Sequence, residues 1–144
     1  EEDIVEAIPK TLQDNIFDLT QLILAKKIDQ ARDLVKDLTL QGEDEIKLIA
    51  IMLGQFRLYA QVKILQESGQ TESQMVSSLG HYLGRNPNPY QIKFALRDTR
   101  GLSLNFLQDS ICYLIQADYQ IKTGVYEKGY LFEKALLQIA SQSN

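Results

Sequence analysis

The stretch Ile46-Lys47-Leu48-Ile49-Ala50-Ile51-Met52-Leu53-Gly54-Gln55-Phe56-Arg57-Leu58-Tyr59-Ala60-Gln61-Val62-Lys63-Ile64-Leu65 decides the fold. Its apolar residues recur at spacings of three and four, the period of an α-helix. They surround much of the helix instead of forming one stripe, so this helix has to be covered on several sides and is read as the centre of a helical core. Glu43, Asp44 and Glu45 place three carboxylates in its first turn, where they offset the partial positive charge of unpaired backbone N–H groups, and Ser68-Gly69 ends it. Polar residues interrupt the run, so it falls short of the roughly 18 apolar residues that a bilayer crossing needs, and no membrane insertion is expected.

Working upstream, the same period continues. A first helix is expected from Asp14-Asn15, either of which can cap it, burying Ile16, Leu19, Leu22 and Ile23 and ending at Ala25-Lys26-Lys27. The next run sets Ile28, Ala31, Leu34, Val35 and Leu38 against Asp29, Arg32, Asp33, Lys36 and Asp37, an amphipathic surface helix that Gly42 terminates. Downstream, Thr71 and Gln74 form a capping-box pair, and Asn88-Pro89 offers a cap followed by proline at the first helical position. Between them, His81 to Pro87 reads as a loop. Gly101 closes one helix, Ser103 caps the next, and Phe106, Leu107, Ile111, Leu114, Ile115 and Ile121 carry it to Gly124. A last helix is expected over about Gly129 to Ala140, with Ser141 to Asn144 as a fraying tail. The fold class is therefore all-α: one helical bundle of seven or eight helices with short connections, in a chain of 144 residues that can close one core.

Charge and composition narrow the function. Residues 1–80 carry 8 Lys/Arg against 14 Asp/Glu, a net of −6, whereas residues 81–144 carry 7 against 5, a net of +2. An overall net charge of −4 disfavours a dedicated nucleic-acid binder, since affinity for phosphate comes mostly from basic residues that release counterions. The single cysteine, Cys112, has no internal partner and suits a reducing, cytoplasmic setting. With apolar neighbours on both sides, it reads as a buried structural thiol.

Chemistry-bearing patterns are scarce. There is no Gly-rich phosphate loop, and the one histidine, His81, lacks a second imidazole for a triad or a two-histidine metal site. Asp29, Asp33 and Asp37 stack on one helix face, but Arg32 and Lys36 interleave with them, so an ion-paired, solvated face is the reading. No catalytic residue, metal site or cofactor is expected. Residues 71–100 offer an alternative, a helix-turn-helix-like nucleic-acid-binding unit whose second helix bears Lys93, Arg97 and Arg100. Its connection is too long for such a turn, and that helix commits Ile92, Phe94, Ala95 and Leu96 to burial. A further candidate for nucleic-acid contact is Lys122, Tyr126 and Lys128, in a loop where rings stand between ammonium groups. The plainer reading is that Tyr126 and Tyr130 cover the end of the core.

Three ordered stretches carry a family resemblance: Asn15-Ile16-Phe17-Asp18-Leu19-Thr20, then Gly42-Glu43-Asp44-Glu45-Ile46-Lys47-Leu48-Ile49 with Gln55-Phe56-Arg57-Leu58-Tyr59-Ala60-Gln61-Val62-Lys63, then Asp118-Tyr119-Gln120-Ile121-Lys122-Thr123-Gly124. In order and spacing the chain resembles the C-terminal part of the delta subunit of the bacterial DNA polymerase III clamp loader. The resemblance implies a non-catalytic collar domain over residues 14–144, preceded in residues 1–13 by the end of a lid domain or a linker. It implies docking onto other clamp-loader subunits, the ATPase (gamma/tau) and delta-prime types. It further implies primer–template DNA as a partner met through the assembled complex, and the sliding clamp only through an N-terminal module outside this chain.

Overall fold

The computed structural model describes residues 10–84 and 87–143, which form seven helices and, among the described residues, no strand. These are α1 (Leu12–Leu24), α2 (Ile28–Leu40), α3 (Glu45–Glu67), α4 (Glu72–Leu83), α5 (Pro89–Asp98), α6 (Leu104–Lys122) and α7 (Lys128–Ala140). The expected lid segment falls mostly in residues 1–9, outside the described residues.

Local chemistry sets the helix starts. Thr11, not Asp14 or Asn15, caps α1: its hydroxyl accepts the Asp14 N–H at 3.0 Å while the Asp14 carboxylate accepts the Thr11 N–H at 3.3 Å. Asp14 is thus the third-residue partner of a capping box, in the first turn, and the helix begins two residues earlier than its sequence suggests. The same box forms between Thr71 and Gln74 at α4, and Asn88 with Pro89 opens α5 as expected. Asp44 is the cap of α3, its carboxylate accepting the Ile46 N–H at 2.8 Å, so only Glu45 of the three carboxylates lies inside the first turn. His81 is not in a loop. α4 continues through Leu83 and stops at Gly84, whose left-handed φ of +78° a residue with a Cβ would adopt only with strain.

α3 runs through the middle of the molecule, packing most extensively on α6 and also on α1, α5 and α7. Leu48, Ile49, Met52, Phe56 and Val62 of α3 are sealed from solvent together with Ile16 and Leu19 of α1, Leu107 and Leu114 of α6, and Phe132 and Ile139 of α7. Each such side chain contributes about 1.5–3 kcal/mol on burial. Contrary to the sequence expectation, α3 is by itself long and apolar enough to cross a membrane, with 23 residues. Neighbouring helices bury Leu48, Ile49, Met52, Phe56 and Val62 along it, which makes it a core helix.

Several inside–outside assignments change. The buried side of α6 is Phe106, Leu107, Ser110, Leu114, Ala117 and Ile121. Cys112 lies two residues, or 200°, round from Ser110 and is exposed, not a buried structural thiol. Ile115 is also exposed. Arg32 pairs not with its own row of aspartates but with Glu133 of α7, Nε–Oε1 at 2.7 Å and Nη2–Oε2 at 3.0 Å. The C-terminal tail is fastened instead of frayed. Gln142 donates from Nε2 to Ser110 Oγ at 2.8 Å, and the Lys26 ammonium donates to the carbonyls of Ala140 and, at 3.0 Å, Gln142. Lys26 does so from a left-handed φ of +62° at the end of α1.

Candidate docking surface

α1, α3 and α5 do not close against each other completely. They leave an open groove of about 1160 Å³ whose apolar lining includes Phe17, Ile51, Leu58, Tyr90 and Phe94. Phe94, assigned to the core on sequence, is 43% exposed, and Tyr90 is 67% exposed. Helical spacing explains the difference: Ile92 and Ala95 are already the buried face of α5, and Phe94 lies 200° from Ile92. On α3, Ala50 and Gly54 present almost no side chain toward the groove, and a Cβ added at Gly54 would meet nothing within 4 Å. The backbone of a second element can therefore come close.

A polar cluster behind the groove holds its wall in place. The Asp98 side chain is only 3% exposed, and its carboxylate accepts from Gln21 Nε2 at 2.8 Å, from Tyr59 Oη at 3.0 Å and from Arg97 Nε at 3.0 Å. α1, α3 and α5 are thus tied at one point. Burial first, and then the Asp98 carboxylate, push the Tyr59 phenol well above its ordinary range. Arg97 in turn sits 4.9 Å over the Phe94 ring, and Phe94 tilts against Phe17 with centroids 6.0 Å apart. The buried carboxylate, the guanidinium and the two rings form one chain of contacts into the groove. Sequence reading missed the cluster because Gln21, Tyr59 and Asp98 lie 38 to 77 residues apart.

The second surface is the turn from α6 to α7. Tyr126 and Tyr130 do not cover the core: they are 65% and 55% exposed and pack edge to face on each other at 5.7 Å. Tyr126 lies in the turn and Tyr130 in the first turn of α7. Tyr119, one turn before Lys122's end of α6, is exposed too. Each lysine of the sequence-predicted set has a carboxylate partner, Lys122 with Asp118 at 3.0 Å and Lys128 with Asp44 at 2.9 Å. The Lys128 ammonium, through its hydrogen bond to Asp44, holds that carboxyl below the usual range. Glu127 and Glu45 also converge beside Gly129.

An all-α bundle with a wide apolar groove and a locked groove wall defines a class by its fold: a helical-bundle domain. A family model described as DNA polymerase III delta subunit, C-terminal domain, matches residues 13–139, and the chain belongs to that family. It is 32% identical over 142 residues to the DNA polymerase III subunit delta of Bacillus subtilis (strain 168), covering 99% of this chain and 39% of that protein. It superimposes on a solved structure of the Bacillus subtilis DNA clamp loader delta protein with a TM-score of 0.84 at 31% identity, covering 98% of this chain and 40% of that one. The chain therefore spans about two-fifths of the length of the relatives it matches. The helix-turn-helix alternative gains no support from these likenesses.

Proposed function

We propose that residues 14–144 are a collar domain, holding a delta-type subunit to its sister subunits in a clamp loader, with residues 1–13 as the end of a preceding lid domain or a linker, a boundary that the Thr11 cap of α1 moves forward to residue 11. The observation that carries this reading is the α1–α3–α5 groove, whose aromatic and aliphatic lining has the composition of a protein–protein interface core. The partners are the ATPase (gamma/tau) and delta-prime types of subunit, in the cytoplasm, and the domain itself performs no chemistry. The sliding clamp is reached by a module that precedes this chain.

The test is co-purification of the full-length subunit with the ATPase and delta-prime subunits. Gly54→Arg places a long cation in the groove without meeting any atom of the chain within 4 Å at its Cβ. Assembly should fall at least tenfold while the melting temperature stays within a few degrees. Assembly as strong as that of the unaltered subunit refutes the groove as the docking face.

A second reading concerns Lys122, Tyr126 and Lys128 as a nucleic-acid contact of the assembled complex. The exposure of both rings favours it, since a free π-face can stack on an unpaired base. Tyr126→Ala should then weaken primer–template binding by the whole complex, and unchanged binding at two salt concentrations removes the idea.

A further inference from the structure

The basic residues that the sequence places on α5 meet a fourth cation across a concavity separate from the groove. Lys63 of α3, Lys93 and Arg97 of α5, and Arg100, which the sequence put on that helix but which lies in the turn past its end at Asp98, line a hollow of about 420 Å³ together with Gln66, Glu72, Leu96 and Gly101. Four of those eight lining residues are cationic and one is acidic, in a chain whose net charge is −4, so the hollow is a local reversal of sign. Lys63 donates to the Thr99 carbonyl at 3.2 Å, and Arg97 has its Nε on Asp98. Lys93 and Arg100 have no ion-pair partner among the described residues.

We propose that this hollow binds the phosphodiester backbone of a nucleic-acid strand, without reading its sequence. Lys93 and Arg97 stand one turn apart on α5, about 6 Å along its axis at 1.5 Å per residue, and Arg100 follows in the turn after the helix. A strand presents one charge per 3.4 Å or so, so Lys93 and Arg97 alone span about two phosphates. Composition argues against a protein occupant. Interface cores are depleted of charge and rich in aromatic side chains, whereas here Leu96 is the one large apolar residue of the lining. The two concave faces thus divide the work, the apolar groove taking protein and the basic hollow taking phosphate. This differs from base reading by a helix-turn-helix, because no edge-reading residue enters the argument. It rests on the collar reading only in that a clamp loader works on DNA.

The experiment is fluorescence anisotropy of a labelled 20-nucleotide oligothymidylate titrated with the chain at several salt concentrations between 25 and 200 mM. The comparison is a Lys93→Glu, Arg100→Glu double variant, which leaves Arg97 and Lys63 in their structural contacts. The unaltered chain should bind weakly, and log affinity should fall with log salt by about 0.7 for each phosphate neutralised. The double variant should lose at least tenfold in affinity at the lowest salt, with a slope shallower by about 1.4 and an unshifted melting temperature. Equal affinity in the two proteins overturns the proposal. So does a loss confined to a Lys122→Glu, Lys128→Glu variant, or capture of an oligoglutamate peptide in place of the oligonucleotide. Co-purification with sister subunits should be unaffected by the double variant. A failure of the unaltered subunit to assemble therefore counts against the collar, and a failure to bind oligonucleotide counts against the hollow.

Discussion

Replacing Asp98 by Ala should be among the most damaging single changes available outside the apolar core. The carboxylate takes hydrogen bonds from Gln21, Tyr59 and Arg97, and its side chain is 3% exposed, so water cannot readily take its place. Arg97 is 56% exposed and can turn to solvent at little cost. Tyr59 is buried and Gln21 partly buried, and each donor left without an acceptor costs about 1–3 kcal/mol. The 3.5 Å between those two atoms is the limit of a hydrogen bond, so they recover little from each other. The expected loss is about 4 kcal/mol. An unfolding entropy of about 2.1 cal/mol/K per residue gives about 0.3 kcal/mol/K for a chain of this size, so the midpoint should drop by about 13 °C. Thermal and urea unfolding followed by far-ultraviolet circular dichroism would measure it. Asp98→Asn keeps one acceptor oxygen and should cost about half as much. A loss under about 1 kcal/mol for Asp98→Ala, or equal losses for Ala and Asn, would refute the account of a satisfied buried acceptor.

The Tyr59 phenol titrates higher in the folded chain than in the unfolded one, so the folded state holds its proton more tightly. Its contribution is fully present below about pH 10 and is lost as pH rises from there toward the folded value, so unfolding should steepen with alkalinity. Tyr59→Phe should flatten the alkaline limb of a pH–stability curve, which stopped-flow or equilibrium unfolding between pH 9 and 11 would show. At Gly54 the opposite kind of change is expected. Alanine meets no atom within 4 Å there, and replacing a mid-helix glycine gains about 0.5–1 kcal/mol, measured as a rise in the urea midpoint.

The parts of this fold legible in the sequence are those whose chemistry is local. The Thr71–Gln74 box, the Asn88-Pro89 start, the Ser103 cap and the glycine stops at Gly42, Gly101 and Gly124 each depend on residues within a turn of one another, and all stand where they were expected. Thr11 was passed over because Asp14 and Asn15 are equally good caps by type, and only the hydrogen bonds choose between them. Period alone also fails at the flanks of a helix. Phe94 and Cys112 have apolar neighbours in sequence, but 100° per residue swings them off the buried side. The groove was legible only as a surplus of apolar residues on α3. The Asp98 cluster and the gathering of Lys63 with Lys93, Arg97 and Arg100 were not legible at all, because they join residues that only the packing of α3 on α5 brings together.

Lys26 reaches from the end of the first helix to the last carbonyls of the final one, and Gln142 fastens the same end to Ser110. Tension applied at the C-terminus is therefore delivered to α1 and α6 together with α7. Peeling the final helix from its C-terminal end must first break both anchors. A domain that anchors one arm of a moving machine would carry load across its whole body in this way, with Lys26 as the rivet.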